Sequence, residues 1–262
     1  MRGFFGELCE RKELLAILIA RNIKIRYKNS ALGFFWTLLA PLFMIAIYSV
    51  FARIMRWNLG REDFLPFLVV GIVVWQYLAM SLNDSLSAIS GNANLIKKTA
   101  FPRHILPVST VLANGVNFLL TFAVLLVFLL IVKADFQALW TLPLVLATHA
   151  ALCLGLALAF SAASVFFRDT EHAVGVGLLA WFFMSPVFYS MDLQMAILPE
   201  RLSAAVYLNP MSGILSAYRF ALMSEPIAGG ESVWLSFAVA WALLPAGLGL
   251  FRATEKRFAD EL

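Results

Sequence analysis

Residues 106–132 read LPVSTVLANGVNFLLTFAVLLVFLLIV, 27 residues without an Asp, Glu, Lys or Arg, and this run decides the solvent in which the chain folds. At a rise of about 1.5 Å per residue, a helix of that length exceeds the roughly 30 Å hydrocarbon core of a bilayer. Five more uncharged runs flank it, at 31–52, 64–82, 139–167, 173–191 and 233–251, each of 19 residues or more. Hydrocarbon offers the backbone no hydrogen-bond partner, so each run predicts a helix. The expected fold class is an all-α polytopic membrane protein with six transmembrane helices.

Composition agrees with that solvent. Hydrophobic residues make up 61% of the chain, charged residues only 14%, and the mean hydropathy is +0.84, far from the profile of a soluble domain. The runs consume so much of the 262 residues that one membrane domain, 1–262, is expected, with 1–30 as an interfacial N-terminal segment and no separate soluble module. Cys9 and Cys153 are placed too far apart in this scheme for a disulfide, and no metal-ligand spacing occurs. Leu14 to Ala20 gives only seven apolar residues, follows Glu7, Glu10 and Glu13, and ends at Arg21, so no cleavable signal is expected.

Six spans place both ends on one side, and the basic residues choose the side. The segments that share a side with the termini carry fourteen Lys and Arg, among them Arg21, Lys24, Lys28, Lys97, Lys98, Arg103 and Arg168. The opposite segments carry six: Arg53, Arg56, Arg61, Lys133, Arg201 and Arg219. Both termini are therefore expected in the cytoplasm. The net charge of +4 is mostly this topology signal, and no nucleic-acid role follows from it.

Two segments outside the spans have structure of their own. Glu10 to Asn29 reads as a helix along the cytoplasmic membrane surface, with Leu14, Leu18 and Ile25 near one face and Arg21, Lys24 and Lys28 on another. It is either a basic flank of the first span or an interface helix that also meets a cytoplasmic partner. Asp192 to Ser232 holds two apolar stretches too short to cross, Met195 to Leu208 and Met211 to Met223, separated by Asn209-Pro210. They read as two re-entrant helices dipping into the outer leaflet, or as two amphipathic helices on its surface.

Carriers driven by protons or sodium generally need ionisable groups or broken helices near the midplane. None of the six runs contains a carboxylate, and His149 is their one imidazole. The sequence has no GxxxxGK[ST] phosphate loop, and no triad spacing that would mark an enzyme. The fourth run carries Ala147, Ala151, Gly155, Ala159 and Ala163 at intervals of four, a small-residue ridge for close helix packing, within one subunit or between two. Aromatic residues reach 14% and cluster at Phe34 to Trp36, at Trp75 and Tyr77, and at Trp181, Phe182, Phe183, Phe188 and Tyr189. They serve as interface belts, ordinary packing, or rings along which a sugar chain slides.

Three passages carry a family resemblance. The first is RNIKIRYKNSALGFFWTLLAP, Arg21 to Pro41; the second is Phe166-Phe167-Arg168-Asp169 with the later Ser185-Pro186; the third is Tyr207-Leu208-Asn209-Pro210-Met211. Together and in order they resemble the membrane subunits of type 2 ABC exporters, in particular those for O-antigen, capsular polysaccharide or teichoic acid. The resemblance implies a bacterial inner-membrane permease working as a homodimer with two separate ATPase subunits, in contact with membrane lipids and a lipid-linked glycan. ATP and Mg would be bound by the partner, and no cofactor by this chain.

It also assigns expected roles. Asn94, Lys97, Lys98, Phe101, Arg103, Arg168 and Asp169 would couple to the ATPase, although the loop could merely set topology and Asp169 could cap the fifth helix. Trp36, Trp75, Tyr77, Trp181, Phe188 and Tyr189 would line a glycan path. Arg21, Lys24 and Lys28 would meet a lipid diphosphate. An exporter of a small hydrophobic drug or lipid is the nearest rival, and a membrane enzyme or scaffold a more distant one.

Overall fold

The structure is a computed structural model that describes residues 4–28, 30, 32, 35–55, 63–99, 101–197, 199, 205–227, 230 and 233–262. Asn29, Ala31, Gly33, Phe34, Arg56, Arg61, Arg201 and Ser232, all used above, lie outside them, as does the side chain of Arg53. Every regular element among the described residues is helical: α1 (Phe4–Glu10), α2 (Lys12–Tyr27), α3 (Trp36–Met55), α4 (Phe64–Leu86), α5 (Ala93–Lys98), α6 (Ile105–Ile131), α7 (Leu142–Phe166), α8 (Thr170–Met184), α9 (Met191–Ile197), α10 (Pro210–Met223), α11 (Val233–Thr254) and α12 (Phe258–Glu261). Pro66, Pro107, Pro143 and Pro210 stand in the first turns of α4, α6, α7 and α10, where a missing N–H removes no helical bond.

Four helices among the described residues are long and apolar enough to cross a membrane: α4, α6, α7 with the turn before it, and α11 with its continuation. The apolar portions of α3 and α8 are shorter. The run 173–191 corrects the expectation most clearly, because its helix begins at Thr170 and stops at Met184. Ser185 is extended, with φ −98° and ψ 146°, as the residue before Pro186 must be to avoid its ring. Fifteen residues reach only about 22 Å.

α4 is the central helix. It is apolar all round, and Phe67 to Trp75 are all buried, as expected for a helix enclosed on every side. Its Trp75, Tyr77 and Leu78 join one core with Phe118 of α6, Leu152 of α7, Leu178 of α8, Tyr218 of α10 and Phe237 of α11. Where α11 crosses α7, a Cβ on Gly155 would lie 2.5 Å from the carbonyl oxygen of Leu243, and one on Gly247 would overlap the carbonyl of Gly155. Close approach of two backbones replaces side-chain burial as the source of adhesion in lipid. The small-residue ridge thus works within the subunit at Gly155, and it is not one continuous face. Steps of four rotate the helix about 40° past a full turn, so Ala151 is buried while Ala147 is exposed.

A second apolar cluster closes the end of the bundle that carries both termini. Leu18 of α2, Ile89, Ile96 of α5, Ile105, Leu158 of α7, Phe251 of α11 and Phe258 of α12 meet there. Leu18 is 3% exposed and Ile25 is 61% exposed, so the face they share by helical spacing is covered only at its Leu18 end. α2 touches α6 along the row Leu18, Asn22, Arg26, and that row turns away from Ile25 with each step.

At the opposite end, α10 is not a surface helix. Met211, Ile214, Leu215, Tyr218 and Leu222 are fully buried. Asn209 caps it, accepting from the Met211 N–H at 3.0 Å, so the Asn-Pro pair starts a helix as well as ending a helical turn over 205–208. The stretch 195–208 is correspondingly not one helix: α9 already ends at Ile197.

Candidate functional site

Two cavities meet on the side of the bundle where α2 and α3 pass α4 and α6. One, of about 550 Å³, lies among Trp36, Phe43, Tyr48, Tyr77 and Phe118 and is largely apolar. The other, of about 570 Å³, lies toward the termini among Arg21, Asn22, Asp84, Asn92 and Thr110. Arg26 and Asn117 line both.

That shared wall is a polar network. Arg26 pairs with Asp84 and donates to Asn114 Oδ1 at 2.6 Å; Asn114 donates in turn to Asp84 Oδ2 at 2.9 Å. Tyr27 donates its hydroxyl to Asn117 Oδ1 at 3.2 Å, and Asn22 reaches Ser109 Oγ at 3.3 Å. Asp84 enters the network because α4 continues past the apolar run to Leu86, which places a carboxylate in the last turn of a helix whose run appeared free of acids.

Arg21, Lys24 and Lys28 line a shallower groove on the outward face of α2 with Ile17 and Ile25 between them. Charge beside exposed isoleucine suits the boundary of headgroups and acyl chains. On α5, Asn94, Lys97 and Lys98 are all exposed while Ile96 between them is buried, so helical spacing gathers the three polar groups on one face. Phe101 packs against the terminal cluster, and Arg103 turns inward to the Glu255 carbonyl. Arg168 and Asp169 are exposed in the turn between α7 and α8. Asp169 occupies the N-cap position of α8 but makes no side-chain cap.

The six aromatic residues named from sequence do not form one surface. Trp36 and Tyr77 reach the first cavity. Trp75 is buried edge-on against Trp181, with ring centroids 5.8 Å apart, and Phe188 joins the same cluster through Phe182 at 4.9 Å. Trp181 donates to Asn209 Oδ1 at 2.8 Å. Tyr189 donates to the Phe183 carbonyl at 2.7 Å. His149 is fully buried beside Tyr218, its Nδ1 3.3 Å from the hydroxyl.

One buried cation was not expected as such. Arg219, counted above among the charges opposite the termini, is 3% exposed. It donates to the carbonyls of Pro186 at 2.7 Å and Val187 at 2.9 Å, the two residues just past the broken end of α8. The signal for it was present: a cation inside the apolar stretch Met211 to Met223 needs a partner. Among the described residues, no three His, Cys, Asp or Glu side chains converge as metal ligands would.

Comparison with known proteins supplies the context. Residues 13–223 match the family described as ABC-2 type transporter. The chain is 32% identical to the O-antigen export system permease protein RfbA of Myxococcus xanthus over 98% of each chain. It is 31% identical to a protein of the same name from Klebsiella pneumoniae over 95% of each. It is 24% identical to the polysialic acid transport protein KpsM of Escherichia coli, over 94% of this chain and 95% of that one.

Proposed function

The chain belongs to the ABC-2 type transporter family, and from that premise we propose that it is the six-span permease subunit of an exporter that carries a lipid-linked polysaccharide from the cytoplasm across a bacterial inner membrane. The observation that carries this reading is similarity along nearly the whole length to proteins named for O-antigen export. All 262 residues form one membrane domain, α3 and α8 complete the crossings with their flanking segments, and both termini face the cytoplasm.

Power comes from elsewhere in this reading. Two separate ATPase subunits bind ATP and Mg, and the exposed face of Asn94, Lys97 and Lys98, with Phe101, Arg103, Arg168 and Asp169 nearby in sequence or at the same end, receives their motion. A second copy of the chain closes the path. Leu42, Phe43 and Ile47 of α3 and Val176, Leu179 and Phe183 of α8 are exposed apolar side chains that support a partner there. In this reading Tyr189 touches the sugar, Trp36 and Tyr77 line the first cavity, and Trp75, Trp181 and Phe188 pack in the wall. Arg21, Lys24 and Lys28 gather the anionic carrier at the headgroups.

Co-expression with its ATPase in cells that assemble the glycan tests the reading. Surface glycan should depend on both chains, and the purified complex should hydrolyse ATP faster with lipid-linked glycan. Stimulation by small amphiphiles alone would replace this cargo with a drug or lipid.

A further inference from the structure

The wall between the two cavities has more donors than it uses. Arg26 engages Asp84 and Asn114 through one nitrogen, Nη2, while its Nη1 is buried with no acceptor among the described residues. Asn117, 6% exposed, leaves its amide nitrogen buried and equally unsatisfied among them, as does Arg21 at Nε. Three idle donors, with no idle acceptor lining either cavity among the described residues, ask for an anion with several oxygens. A guanidinium fork meets phosphate better than one carboxylate oxygen. Immediately beyond lies the aromatic cavity, whose volume of about 550 Å³ is that of a site for one modest ligand and favours a single hydrocarbon chain over the paired chains of a bilayer phospholipid.

We infer that the Arg26–Asn117 joint binds the diphosphate head of a single-chain carrier lipid, and that the head displaces Asp84 from Arg26. The inference rests on the lipid-linked cargo proposed above and assigns the residues that read its head. Asp84 has a 42% exposed side chain and can turn to water when a second anion arrives. It stands two residues before the end of α4 at Leu86, on the path to α5 and its exposed lysines. Losing the bond to Arg26 frees that end of α4 from α2, so head-group occupancy is reported to the coupling face.

The test uses the full complex with its ATPase in lipid nanodiscs, with geranylgeranyl diphosphate as probe and geranylgeraniol, inorganic pyrophosphate and phosphatidylglycerol as comparators. Wild type should bind the diphosphate at least tenfold more tightly than each comparator. R26Q and, independently, N117L should weaken it at least tenfold, whereas D84N should tighten it severalfold and raise ATP hydrolysis without the probe. Equal competition by phosphatidylglycerol would make the joint an ordinary lipid site and overturn the inference. Tight diphosphate binding that neither R26Q nor N117L alters would overturn it while leaving the cargo reading intact. Absence of diphosphate binding to wild type, in a complex that still exports glycan in cells, would remove both the inference and the diphosphate carrier.

Discussion

The guanidinium carbon of Arg219 lies 3.3 Å from the centroid of the Phe67 ring, so a cation from α10 stacks on the first turns of the central helix. The same side chain closes the carbonyls of Pro186 and Val187. These carbonyls need it because the chain past Met184 is no longer helical, and unsatisfied backbone at depth is costly. Arg219 therefore joins three elements whose sequence positions are far apart.

Replacing Arg219 with Met should strip both carbonyls of their donor and destabilise the protein by about 3 kcal/mol, read as a lower unfolding temperature in detergent and loss of export. Arg219→Lys keeps the charge but not the fork, and should fall between. A Met variant as stable as wild type would mean that the broken end of α8 is held by something else.

Gly155→Val and Gly247→Val should each force α7 and α11 apart at their crossing, costing about 1–3 kcal/mol through overpacking. Gly175→Ala and Gly177→Ala are the controls, because a Cβ at either meets nothing within 4 Å. Thermal unfolding of the four variants side by side should separate the pairs.

Asn209→Ala should remove the N-cap of α10 and the acceptor of the Trp181 indole together. A cap alone is worth about 1 kcal/mol. The local reporter is Trp181 fluorescence, which should shift as its indole loses the bond; an unchanged spectrum would show that Asn209 does not hold it.

His104 is 2% exposed, its ring tilted against that of Phe4 with centroids 5.2 Å apart. Burial lowers its pKa from the usual value of about 6.5; Glu7, with an oxygen 3.6 Å from Nε2, opposes that shift and Arg252 reinforces it. Burial dominates, so the imidazole is neutral at pH 7 and its contact with Glu7 is not an ion pair there. Below the unfolded value the detached state takes up a proton first, so attachment of α1 should weaken as pH falls through 6.5 toward the lowered value. Protection of residues 4–10 against hydrogen exchange, measured relative to the intrinsic rate at each pH, should fall between pH 7.5 and 5.5, and His104→Gln should flatten the change.

Much of this was legible in the residues. The runs at 64–82, 106–132 and 233–251 correspond to α4, α6 and α11 within a few residues at each end, since an uncharged stretch of that length in lipid has one conformational solution. Asn94, Lys97 and Lys98 were singled out only through the family resemblance; that all three are exposed together is seen once α5 is known to be a helix. The break at Ser185 was written in Ser185-Pro186 yet outweighed by the apolar residues around it. What the residues did not show is which partners Arg219 and Asp84 find, because each sits on a helix beside a partner from a distant segment.

By itself, the order of amino acids determined the solvent, the helical class and the basic asymmetry of the two sides, because these follow from local hydrophobicity and the backbone's need for internal hydrogen bonds. Only the tertiary structure decided that Gly155 meets Gly247, that Arg219 closes the end of α8, and that Arg26, Asp84, Asn114 and Asn117 converge between two cavities. Such contacts depend on which helices become neighbours. Between apolar helices in lipid, that choice is made by shape and buried polar pairing across the whole bundle, which no single stretch encodes.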